Sequence, residues 1–101
     1  MNPSEWHVER ARARIEPTVE TVLADHATAY WGRPVRRHEL AAGPDSLDRR
    51  VVWTIDNETV LELHVAERGP ATLRVHDVSL FSPLRRALRT RHVRLLLADA
   101  G

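Results

Sequence analysis

Two histidines, a glutamate and an arginine stand where strand alternation would gather them. Glu62 and His64 are two residues apart, and so are Arg74 and His76, each pair within a stretch that alternates apolar with polar residues. If these stretches pair as neighbouring strands, the four side chains share one face, because cross-strand neighbours lie about 5 Å apart and diagonals about 7–8 Å. Two imidazoles beside a carboxylate can ligate a divalent metal or carry out acid–base chemistry, with Asp77 close by in sequence. The spacing matches neither H-x-H nor H-E-x-x-H. On an exposed sheet face such residues are ordinarily polar cover, so Glu62, His64, Arg74 and His76 are read as a polar-face site with no reaction assigned.

The second constellation is cationic. Arg85, Arg86, Arg89, Arg91 and Arg94 crowd one segment, and residues 69–101 carry six arginines against two acids, whereas residues 1–31 carry three against five. Such one-sidedness suits a polyanion or an acidic partner, although the whole chain, at +1, lacks the long-range field of a dedicated nucleic-acid binder. All 15 basic residues are arginine, with no lysine anywhere. Codon bias would produce this, and so would selection of guanidinium forks for phosphate or carboxylate, so the count alone decides nothing.

Other chemistries are excluded by absence from the sequence. There is no cysteine, hence no disulfide scaffold, thiolate zinc site or thiol nucleophile. There is no glycine-rich phosphate loop and no G-x-S-x-G elbow. His26 lies on an apolar helical stripe with Val22 and Tyr30 one turn to either side, which reads as a packed, hydrogen-bonded histidine.

These residues must be positioned by a small set of elements. A chain of 101 residues, 43% hydrophobic and 29% charged, fits one domain spanning residues 1–101. Ser4 is expected to cap a helix whose stripe of Val8, Ala11, Ile15, Val19 and Val22 runs on through Tyr30 to about Trp31, with a kink or a break into two helices at Pro17 and a stop at Gly32. Residues 34–43 favour an edge strand, with a short helix from Pro34 as the alternative. Val51 to Val75 reads as three strands of an antiparallel meander, with Trp53, Leu63, Val65, Leu73 and Val75 on the buried face and a bulge near Asp77. Ser82-Pro83 should open a short basic helix, residues 92–98 fit helix or strand, and the last four residues should fray. The expected architecture is therefore α+β: a kinked N-terminal helix on a three- to four-stranded antiparallel meander, closed by a short basic C-terminal helix.

The leading functional expectation is a small non-catalytic binding or accessory protein that engages another macromolecule, a protein first. The alternative is a nucleic-acid-associated regulator using the arginine-rich segment. The third is a small metal-binding protein or enzyme centred on His64 and His76. No cofactor is implied. A homodimer is expected, through an edge strand or the tryptophans Trp6 and Trp31. No apolar run approaches the roughly 20 residues of a membrane helix and no secretory leader pattern is present, so the expected location is cytoplasmic.

Overall fold

The computed structural model of the chain describes residues 3–40, 43–89 and 95–100. Helix α1 covers Pro3–His26. It starts at Pro3, ahead of the expected cap Ser4, since proline's fixed φ suits a first helical position. Val8, Ala11, Ile15, Val19, Leu23 and His26 are buried at spacings of three and four, one stripe of a regular helix. The expected break at Pro17 is not found: one uninterrupted helix runs through it. Pro17 and Ala13 both lie on the exposed side, where water can take the carbonyl that proline leaves unbonded.

The stripe ends earlier than expected. Ala27–Trp31 forms a π-helical turn in which the Gly32 N–H donates to the Ala27 carbonyl at 2.8 Å. Tyr30, expected to continue the apolar face, is instead 76% exposed. Gly32 ends the element at φ +65°, a conformation that costs a Cβ-bearing residue and not glycine.

Among the described residues five strands follow: β1 (Arg36–Leu40), β2 (Arg49–Ile55), β3 (Glu58–Val65), β4 (Ala71–Val75) and β5 (Leu95–Asp99), in that spatial order. The edge-strand reading of residues 34–43 thus holds over 36–40. The first four strands form an antiparallel meander, whereas β5 runs parallel to β4. The sheet is therefore five-stranded and mixed, not a purely antiparallel sheet of three or four strands. A parallel neighbour requires a crossover, and helix α2 (Phe81–Leu88) supplies it. Residues 95–99 are strand, and Ala100 is held by its N–H to the Val75 carbonyl at 3.0 Å, so this end is paired up to residue 100. Residues 92–94 lie outside the described residues.

Local chemistry sets the connections. Asp56 and Asn57 both have positive φ, 49° and 69°, the signature of a two-residue type I′ hairpin loop, and both residue types tolerate it. The sheet irregularity expected near Asp77 lies across from it, in β3. Trp53 pairs with Leu61 but Thr54 with Thr59, leaving Val60 as the extra residue, and its carbonyl accepts from both the His76 and Asp77 N–H groups. After β4 the chain turns through Val78–Leu80, a 3-10 turn that runs directly into α2, so the cap is Asp77 and not Ser82.

Both helices lie on one face of the sheet. Val51, Trp53, Leu61, Leu63, Val65, Leu73 and Val75 meet the α1 stripe together with Leu80, Leu84 and Leu88, all within one core. The indole of Trp53 is fully buried, and its N–H donates to Glu20 Oε1 at 2.9 Å, which settles its one polar atom. No described helix is long and apolar enough to cross a membrane.

Candidate functional site

No described element covers the second face of the sheet, and the strand register lays its side chains out in rows. One row reads Leu40, Arg50, His64, Thr72 and Leu96 from β1 to β5; the next reads His38, Val52, Glu62, Arg74 and Ala98. Arg36 and Thr54 begin a third. The predicted polar set, Glu62, His64, Arg74 and His76, is thus brought onto one face. Glu62 is its hub. His76 donates through Nε2 to Glu62 Oε2 at 2.8 Å, Arg50 approaches Oε1 at 3.5 Å, and Arg74 stands opposite in register.

His64 turns elsewhere, to Asp48 Oδ2 at 3.3 Å, while Asp48 Oδ1 accepts the Glu67 N–H at 2.9 Å. The two histidines therefore serve different carboxylates. Beside Glu62 and His64 is a depression of about 50 Å³ lined also by Arg50, Thr72 and Arg74, room for ordered water rather than a substrate. Among the described residues no group of three or more His, Asp or Glu side chains could hold a metal ion.

Of the predicted basic cluster, Arg85 and Arg86 are exposed on α2 and Arg89 at its C-terminal cap, away from the buried Leu84 and Leu88. None of the three guanidinium groups has a partner among the described residues. Arg91 and Arg94 lie outside the described residues.

The structure adds a feature that the spacing did not single out. Where α1 ends, His26 Nε2 lies 2.8 Å from Ser79 Oγ, the Ser79 hydroxyl donates to Asp77 Oδ1 at 2.6 Å, and the Trp31 indole donates to Asp77 Oδ2 at 3.0 Å. The Ser79 backbone N–H also donates to Asp77 Oδ1 at 3.0 Å. Because the one hydroxyl proton of Ser79 goes to Asp77, His26 must donate through its Nε2–H. The serine hydroxyl is thus committed, and the order Asp–Ser–His is wrong for a base that must take the serine proton. The chain of bonds is a lock that joins α1 to the start of α2. Burial pushes the Asp77 carboxyl up, but the bonds from Ser79 and Trp31 and the nearby charge of His26 outweigh it, leaving the pKa below 3.8.

His26 of this lock also lines a cleft of about 340 Å³ between the two helices. Val22, Ala29, Pro83 and Ala87 form its apolar walls, and His26 lies against the Tyr30 ring with centroids 4.5 Å apart. The sequence did contain a signal: Asp77-x-Ser79 ahead of a helix is a capping pattern, as is the sharp change of apolar parity after Val75. No protein-family model, curated protein or solved structure matches this chain.

Proposed function

We propose that the chain is a non-catalytic binding protein whose open sheet face engages an acidic, extended segment of another protein. The observation that carries this reading is the composition of that face in register. It holds Arg36, Arg50 and Arg74 against Glu62, which Arg50 and His76 already engage, and Asp48, which is bonded to His64, and it is flanked by exposed Leu40 at one edge and Leu96 at the other. Arg36 and Arg74 have no partner among the described residues, so their guanidinium forks are free to meet carboxylates. Five strands about 4.8 Å apart span roughly 19 Å, the reach of about six extended residues. Apolar contacts at both edges would fix the ends of such a segment while the arginines fix its charge.

A short peptide alternating Glu with Leu tests this when titrated into the isotope-labelled protein at low salt. The expected result is saturable perturbation of Arg36, Arg74 and Leu96 resonances, abolished in Arg36→Glu/Arg74→Glu. No binding at about 1 mM peptide, or binding that the double variant leaves intact, overturns the reading.

A second reading rests on Arg85, Arg86 and Arg89, which stand free on the opposite layer of the molecule. On that reading the chain is a nucleic-acid-associated regulator making backbone contacts. A duplex DNA probe would then bind with a log–log salt slope of roughly −3, lost in Arg85→Ala/Arg86→Ala/Arg89→Ala and indifferent to Arg36 and Arg74.

A further inference from the structure

We infer that the cleft between α1 and α2 is a binding site for a small zwitterion with an apolar body, an α-amino acid of the aromatic class. The site lies on the helical layer, away from the sheet face, and does not depend on what that face binds. Its volume, about 340 Å³, falls at the low end of small-molecule sites. The alternative occupant, an amphipathic helix of a partner, needs anchors over two or more turns of groove. Helix α2 has only eight residues, about 12 Å, so the groove is too short for one.

The lining specifies the ligand's chemistry. Val22, Ala29, Pro83 and Ala87 offer an apolar slot, and the Tyr30 ring, 76% exposed, presents an aromatic face beside it. Stacking on that face favours a ring over a branched aliphatic chain. Asp25 borders the cleft from α1 and Arg86 from α2. Neither pairs with the other, and neither has any partner among the described residues. A carboxylate alone would meet Asp25, and an ammonium alone would meet Arg86. A ligand bearing both groups answers each with its opposite and leaves its side chain to the slot. The lock of His26, Ser79, Asp77 and Trp31 keeps the two walls at a fixed separation, so little ordering is required on binding.

L-Phenylalanine is the probe, measured by chemical-shift titration against 3-phenylpropanoate, which lacks the ammonium, and phenethylamine, which lacks the carboxylate. The expected result is saturation by phenylalanine in the low millimolar range or better, with both comparators about three- to tenfold weaker. Asp25→Asn should weaken phenylalanine by a similar factor and leave 3-phenylpropanoate no weaker. Arg86→Gln should weaken phenylalanine and leave phenethylamine no weaker. Both positions are exposed, so neither change threatens folding. Three results overturn the proposal: no saturation by roughly 10 mM phenylalanine, 3-phenylpropanoate binding as tightly as phenylalanine in wild type and Asp25→Asn alike, or glycine binding as tightly as phenylalanine. A concentration-dependent dimer that Tyr30→Ala dissociates would also overturn it, by showing that a second copy fills the cleft.

Discussion

The β1 edge and helix α2 both carry arginines and use them in opposite ways. Along β1, Arg12 meets Glu16 at 3.0 Å, Glu39 at 3.1 Å and Glu9 at 3.8 Å, while Arg37 meets Glu16 at 3.3 Å, Glu39 at 3.4 Å and Glu20 at 3.9 Å. Two guanidinium groups sit among four carboxylates and tie α1 to the exposed edge strand. On α2, Arg85 and Arg86 project from an eight-residue helix and Arg89 from its C-terminal cap, with no carboxylate partner among the described residues. An arginine total therefore says little about recognition until the arginines that hold the fold are separated from those that do not. It also follows that the side of β1 that faces α1, with carboxylates in excess, would repel the acidic ligands that α2 and the open sheet face, to which β1 gives Arg36, attract.

The sharpest way to break this contrast is to truncate one arginine of each kind. Arg12 has only 17% of its side chain exposed. Burial alone would lower its pKa, yet its hydrogen bond to Glu16 and the charges of Glu16, Glu39 and Glu9 raise it above the ordinary arginine value. Arg12→Ala leaves Glu16 half-buried with fewer donors, and about 1–3 kcal/mol of stability should be lost in urea unfolding. Arg85→Ala should leave the unfolding midpoint unchanged. Equal losses at the two positions would show that α2's arginines are also structural.

The helix junction at the far end of α1 is held by one carboxylate instead of a network. Asp77→Ala removes the cap of the 3-10 turn and the Trp31 acceptor together, and should cost about 1–2 kcal/mol. Acid provides a second readout. The folded-state pKa of Asp77 lies below 3.8, so its contribution is complete at pH values above the ordinary aspartate range and is lost as pH falls through the depressed value. Wild type and Asp77→Asn should differ most near neutrality and converge in strong acid. Parallel stability curves over that range would mean that the lock exerts no charge-dependent hold.

How much of this was legible beforehand depends on the range of the signal involved. The alternation of Val51, Trp53, Leu63, Val65, Leu73 and Val75 is a period-two pattern visible within each strand, and it placed both faces of the meander correctly. It also brought Glu62, Arg74 and His76 together. The parallel strand β5 was not legible, because residues 95–97 are three leucines with no alternation and their pairing is set by a crossover that only the folded chain reveals. Tyr30 was misplaced because a π-helical turn shifts the angular period within one residue, which no 3.6-residue template anticipates. The lock joins residues 53 apart in sequence, His26 and Ser79, and neither spacing nor composition encodes such a pair. Polar contacts between distant elements follow from packing, and the apolar pattern of a sequence fixes packing only to the level of faces.

The smallest effect concerns how the β1 network divides its energy. Arg37 and Glu16 lie 3.3 Å apart with side chains 35% and 18% exposed, an intermediate position between surface pair and buried one. Arg37 also touches Glu20 and Glu39, and Glu16 also accepts from Arg12, so each partner retains a substitute when the other is removed. A double-mutant cycle of Arg37→Ala and Glu16→Ala should therefore give a coupling of only about 0.5 kcal/mol, shrinking further in about 1 M salt as screening shortens to about 3 Å. The same cycle repeated in an Arg12→Ala background should give a larger coupling, because Glu16 then depends on Arg37 alone for a cationic donor. A coupling that stays the same with and without Arg12 would mean that the two guanidinium groups act independently and that the edge is held by separate pairs, in which case the distinction from α2 reduces to proximity of single carboxylates.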